Sequence, residues 1–187
     1  MKTKCLMYCT KAKPLMEKSD DTCYEIGMSS RYIIGNDRLE IVKPLNGKIV
    51  CECDIETEEL TQLGCGEPML FTTKTLDSLE VCKRSCLKTE ELSDYLYNQD
   101  KDSKGYALHI SNINVFDKPL SIEKDYIYKN YFDNSLLTKA PQNMCNVYDR
   151  FGNKYILISV QPQHLVNILN GKKTIEVRRK VLKGMVE

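Results

Sequence analysis

Residues 48–55 read Lys-Ile-Val-Cys-Glu-Cys-Asp-Ile, and their side chains sort into two alternating sets. In an extended chain Ile49, Cys51, Cys53 and Ile55 point one way, and Val50, Glu52 and Asp54 the other. A helix would scatter these groups around its axis, so a period of two commits the segment to a strand with one face turned inward. Other segments read the same way. Residues 5–9 form a short apolar run, and 155–160 are almost continuously apolar. In 106–116, Leu108 and Ile110 alternate with His109 and Ser111, and Asp117-Lys118-Pro119 is expected to end the strand. In 174–179, Ile175 and Val177 face one side, with Thr174, Glu176 and Arg178 on the other.

Two short helices interrupt these strands. Thr89 suits an N-cap, with Glu90 and Glu91 in a first turn where the helix dipole favours acid. Leu92, Tyr95 and Leu96 then make an apolar stripe. Pro162 suits a first turn, Leu165, Ile168 and Leu169 form a face, and Gly171 supplies a stop. Residues 56–83 carry Gly64, Gly66 and Pro68 and read as a long inserted loop with a short strand at 69–72. The stretch 129–152 shows no clear period and reads as an extended connection. The expected class is α+β, a small β-barrel with short helices, in one domain.

A chain of 187 residues is about the size of such a domain. Lys+Arg 27 against Asp+Glu 26 leaves a net charge of +1, which excludes a strongly basic nucleic-acid binder. Any RNA contact must then come from a local basic cluster. No apolar run approaches the ~20 residues that span a bilayer, and residues 1–13 lack the apolar core of a signal peptide. The expectation is a cytoplasmic protein with no membrane partner. Nine cysteines in that compartment argue against a disulfide framework. The pairs Cys5/Cys9, Cys51/Cys53 and Cys82/Cys86 do not have zinc-knuckle spacing, and only His109 and His164 remain to complete a site. Packing as small buried hydrophobes is the preferred account, with no metal and no cofactor.

Glu176 and Arg178 lie two apart on one strand face, with Lys173 at its entry beside Lys172. Such a set offers fixed donors and one carboxylate, suited to a base edge together with a phosphate or ribose. From spacing alone, a solvated Glu–Arg–Lys ladder of little energetic weight is the simpler account. His109 and Ser111 share a face and could meet a ligand, although a lone strand histidine is more often a satisfied, partly buried group. Tyr106 could stack on a base but is read as core. A Cys9–His109 nucleophilic pair lacks a third, orienting residue.

Residues 156–180, ILISVQPQHLVNILNGKKTIEVRRK, resemble the opening strand–helix–strand of the ASCH domain family, part of the PUA-like superfamily. Residues 105–126, GYALHISNINVFDKPLSIEKDY, resemble its closing strand. CLMYCTKAK at 5–13 and GKIVCECDI at 47–55 resemble its second and third strands. LTKAPQNMCNV at 137–147 and SCLKTEEL at 85–92 are similar to text of a bacterial and prophage subgroup. The order differs from the family, because the opening motif stands at the C-terminus. Joining Glu187 to Met1 would restore it, so the resemblance implies circular permutation. It implies a barrel body over 1–128, the connection 129–152, and a completing motif over 153–187. That motif completes either its own barrel, which is preferred, or a neighbour's in a domain-swapped or tandem assembly.

What the resemblance implies for function is a PUA-like barrel that binds RNA or a modified nucleoside. It places Lys173, Glu176, Arg178, Thr10, Lys11 and Ser111 at one cleft, with His109 on the strand of Ser111. Some relatives in that family are amidohydrolases that remove an acyl group from the exocyclic amine of cytidine, using a Lys, a Thr and a Glu. Lys173 occupies the Lys position, Glu176 stands where the Thr belongs, and the catalytic Glu has no secure counterpart. Lys173 and Glu176 are therefore the candidate catalytic pair, with Glu176 activating water; the binding reading is preferred, and whether the chain is an enzyme is left open. A third reading is a phage or prophage interaction protein that binds a host protein, in keeping with the near-zero net charge.

Overall fold

The computed structural model describes residues 2–10, 47–63, 69–97, 104–122, 124–125 and 127–186. In chain order these form β1 (Thr3–Cys9), β2 (Lys48–Leu63), β3 (Leu70–Thr72), α1 (Ser78–Ser85), α2 (Thr89–Tyr97), β4 (Gly105–Leu120), β5 (Tyr128–Asn130), β6 (Ser135–Leu136), β7 (Met144–Tyr148), β8 (Lys154–Val160), α3 (Pro162–Leu169) and β9 (Ile175–Arg178). The class is α+β, a mixed nine-stranded sheet with three short helices. The strand path runs β6-β5-β7-β8-β1-β2-β4-β9, and β3 branches off β2. Among the described residues the path has two ends and does not close into a barrel. Both end strands are short, two and four residues, and so offer few ladder bonds.

The chain divides into two compact units. The first holds Met1–Thr3, Asp54–Asn112 and Gly171–Glu187, and the second holds Lys4–Cys53 and Ile113–Asn170. The long strands β2 and β4 contribute residues to both.

In the first unit β9 pairs antiparallel with β4, in the register Tyr106↔Arg178, Ala107↔Val177, Leu108↔Glu176 and His109↔Ile175. Directly opposed residues share a face. Ala107, Ile175 and Val177 therefore join Leu60, Phe71, Val81, Cys82, Leu92 and Leu96 in a core under α1 and α2. Glu176 and Arg178 turn to the other face, as the alternation of 174–179 predicts. Gly105 opens β4 where α2 comes close. A Cβ there would stand 2.8 Å from Leu96 Cδ2, so a larger residue would push the helix away.

Residues 56–83 are not the plain loop expected. β2 continues to Leu63 because β3 supplies a partner, with Thr61↔Thr72, Gln62↔Phe71 and Leu63↔Leu70. Next comes α1, which buries only Val81, Cys82 and Ser85 and so carries a weak apolar signal. The Asp77 side chain accepts from Glu80 N–H at 2.8 Å to cap its start. Cys86 adopts a left-handed conformation (φ 55), and Cys86 and Leu87 N–H donate to the carbonyls of Lys83 and Cys82, closing the helix in a Schellman turn. In α2, Glu91 reaches back to accept from Lys88 N–H at 2.8 Å, so the capped residue is Lys88 and Thr89 lies one step inside.

In the second unit β1 runs parallel to β8, from Cys5↔Ile156 to Cys9↔Val160. β7 pairs antiparallel on the other edge of β8, from Met144↔Ile158 to Tyr148↔Lys154. With a neighbour on each edge, Ile156, Leu157, Ile158, Ser159 and Val160 are all buried, which explains the unbroken apolar run. Leu6, Ile49, Ile122, Ile127, Leu137, Val147 and Leu157 form this unit's core. The expected extended connection 129–152 instead contains most of β5 and all of β6 and β7. These strands have three, two and five residues, too few for a period to emerge from sequence. β4 likewise runs through Pro119 to Leu120, past its expected end.

Cys5, Cys9, Cys51 and Cys53 are fully buried, and Cys82 nearly so. Burial pushes the Cys9 thiol up to about 12 and raises that of Cys51 further, with Cys53 adding to it. The Cys9 and Cys51 thiols stay protonated, and all five side chains serve as packing groups. Among the described residues, no helix is long and apolar enough to cross a membrane.

Candidate ligand-binding site

The first unit brings Lys173, Glu176 and Arg178 together. Lys173 Nζ donates to the Ser85 carbonyl at 2.7 Å and stands 3.2 Å from Glu176 Oε2. The other oxygen, Glu176 Oε1, lies 2.9 Å from Arg178 Nη2. Side-chain exposure is 2% for Lys173, 9% for Glu176 and 12% for Arg178, which rules out a solvated ladder. Local backbone explains the placement. Thr174 N–H donates to the Arg84 carbonyl at 2.9 Å, and Arg84 Nε donates to Thr174 Oγ1 at the same distance. With the Lys173–Ser85 bond, the residues entering β9 thus satisfy two carbonyls that the end of α1 leaves open. A cation at this helix end also meets the negative pole of its dipole.

Glu176 Oε2 has a further property. The lysine lies near enough for an ion pair, but its approach is off-line, and among the described residues this buried oxygen accepts no hydrogen bond. Carboxylate oxygens in such surroundings are ordinarily filled. Tyr106, opposite Arg178 in the ladder, is half-buried and so is not the core residue expected.

His109 is not part of this group. It shares the face of Ile175, opposite to that of Glu176. Its Nε2 lies 3.0 Å from Glu58 Oε2, and each side chain is 18% exposed. Thr75 Oγ1 donates to the same oxygen at 2.9 Å, while Thr73 Oγ1 accepts from the N–H groups of Thr75 and Leu76. Partial burial pushes the Glu58 carboxyl up, but hydrogen bonds with Thr73, Thr75 and His109 outweigh it and hold the group below its usual range. His109 is therefore a satisfied, partly buried histidine. Its partner was missed because Glu58 lies beyond the expected end of the 48–55 strand.

A carboxylate depressed on folding stabilises above its unfolded pKa, and that contribution is lost as pH falls through the folded value. Glu58→Gln is accordingly expected to cost roughly 1.5 kcal/mol near neutral pH. The gap in urea midpoint between wild type and variant should narrow toward about pH 3. A gap that stays constant over that range would show that the charge of Glu58 is not what the hydrogen bonds stabilise.

Ser111 is partly exposed, just before the left-handed Asn112 (φ 51). Thr10 belongs to the second unit, where its N–H donates to the Val160 carbonyl at 2.9 Å. Lys11 lies outside the described residues. Cys9 carries a buried, protonated thiol and is no nucleophile. Around β9 the charge is local and positive: Lys172, Arg179, Lys180 and Lys183 are all exposed, and the segment's acid, Glu176, is buried. Arg179 lays its guanidinium 5.2 Å above the ring centre of Tyr95. No family model, curated protein or solved structure matches the chain.

Proposed function

We propose that the chain is a PUA-like module of the ASCH type that binds RNA or a modified nucleoside on the β9 face of its first unit. The observation that carries this is the buried Glu176 carboxylate, held by Lys173 and Arg178, with one oxygen that accepts no hydrogen bond among the described residues. A fixed carboxylate acceptor beside a guanidinium complements a base edge that presents an exocyclic amine next to an acceptor, as cytosine does. Lys172, Arg179, Lys180 and Lys183 give phosphate a local basic surface in a protein of near-zero net charge. Support for a permuted barrel is the sequence resemblance, together with the pairing of β8 with β1 and of β9 with β4.

Hydrolysis of acylated cytidine is the weaker reading. The Lys173 ammonium is committed to the Ser85 carbonyl and Glu176, and a carboxylate stands where the family uses a hydroxyl nucleophile.

The test is calorimetric titration with cytidine and acylated cytidine, comparing wild type with Glu176→Gln. The wild type should bind, and the variant should bind roughly tenfold more weakly, because the amide returns one acceptor without the charge. Circular dichroism checks that the variant remains folded. Saturable wild-type binding that Glu176→Gln leaves unchanged moves the ligand off this face. Absence of binding to nucleosides and RNA alike abandons the reading in favour of a host-protein partner.

A further inference from the structure

In the second unit, exposed aromatic rings gather on two neighbouring turns. Phe132 is 90% exposed in the β5–β6 turn, and Phe151 is 70% exposed in the β7–β8 turn. Large rings left this open are not what a surface keeps for stability, since each retains its apolar area in water. Both are held in place from behind. The Asn130 side chain accepts from Phe132 N–H at 3.1 Å, and Asp149 accepts from Phe151 N–H at 2.8 Å. Tyr131 joins the turns. Its ring meets that of Phe132 edge-on, with centroids 6.3 Å apart, and lies over Gly152. A Cβ at Gly152, where φ is +82, would stand 3.0 Å from Tyr131 Cε1, so only glycine admits this contact.

Charge gives the patch a sign. The Arg150 guanidinium sits 4.7 Å from the ring centre of Phe151, and Lys129 and Lys154 are exposed on the strands that lead from the two turns. The acids of these turns, Asp133 and Asp149, spend their oxygens on local N–H donors. Asp133 accepts from Ser135 N–H and the Asn130 amide, and Asp149 from Phe151, Asn153 N–H and the Asn153 amide. Both acids stay ionised, so Lys129, Arg150 and Lys154 face two carboxylates, and the exposed rings with this small positive balance match a chain of stackable rings joined by anions.

We infer that these two turns form a stacking platform for unpaired bases of single-stranded RNA, with Phe132 and Phe151 as base-stacking rings and Arg150, Lys129 and Lys154 on the phosphates. The platform does not depend on the reading of the β9 face, and the test keeps the two apart. Binding of a labelled oligouridylate of about twelve nucleotides is followed by fluorescence anisotropy at low salt, for the full chain. Phe132→Ala and Phe151→Ala should each weaken binding roughly tenfold, and the double variant about a hundredfold. Phe→Trp at either position should keep the affinity, whereas Phe→Leu, apolar without a π face, should lose it. Uracil carries no exocyclic amine for the β9 face to read, and Leu79→Ala, an exposed change on α1, should leave this affinity unchanged. Both rings are exposed, so thermal melts of the variants should overlay the wild type. The inference fails if the wild type does not bind the oligonucleotide. It also fails if the alanine variants bind as tightly as wild type, if leucine serves as well as phenylalanine, or if a duplex of equal length binds equally well.

Discussion

Lys173→Met is expected to lower the free energy of unfolding by about 3–5 kcal/mol, read as a shift in urea midpoint by circular dichroism. Two penalties add. Glu176, buried at 9% side-chain exposure, loses one of its two cations, and the Ser85 carbonyl loses its donor at the end of α1. At 2% exposure the ammonium is shielded from salt, so adding salt should leave the deficit in place. The triple variant Lys173→Met/Glu176→Leu/Arg178→Met should regain much of the loss, because apolar groups that replace all three partners leave no charge stranded. An unchanged midpoint in Lys173→Met would mean that the ammonium is in fact hydrated. The prediction also governs how functional data are read. Any activity lost with Lys173 must be separated from lost folding, and the same holds for Glu176→Gln, which leaves two buried cations without their acid.

Phe71→Ala is expected to cost about 3–5 kcal/mol. Phe71 is 2% exposed, and β3, to which it belongs, has only three residues. So short a ladder holds little by itself, and the ring supplies the anchor by entering the core with Leu60, Val81 and Leu92. Leu70, one position earlier and 41% exposed, provides the control: Leu70→Ala should lie within about 0.5 kcal/mol of wild type. In hydrogen exchange, the Phe71 variant should lose protection in β3 and α1 before β4. Equal deficits for the two variants would show that the strand is held by its backbone.

Where alternation was strict, the sequence was a good guide. Ile175 and Val177 do enter the core while Glu176 and Arg178 take the other face, since a period of two leaves a strand no choice. Burial of Lys173 and Glu176 was not legible. Charged residues read as surface unless a partner element is known to cover them, and the element that receives Lys173 is α1. That helix stayed hidden because one of its three buried side chains is a serine, and because Gly64, Gly66 and Pro68 dominate the text before it. The same gap separated His109 from Glu58. The platform residues Phe132 and Phe151 were equally invisible, for a different reason: β5, β6 and β7 are too short to leave a pattern, so the turns beside them did not stand out.

The parallel pairing of β1 with β8 sets a schedule for synthesis. Cys5 must find Ile156, about 150 residues later, so one edge of β1 lacks its β8 partner until that segment has been made. At ~5–20 residues per second, the interval is roughly 8–30 seconds. Throughout it Cys5, Leu6, Met7 and Cys9, all buried in the finished protein, belong to an open strand edge. Production of this protein should therefore be more sensitive to chaperone supply and to growth temperature than its finished stability would indicate.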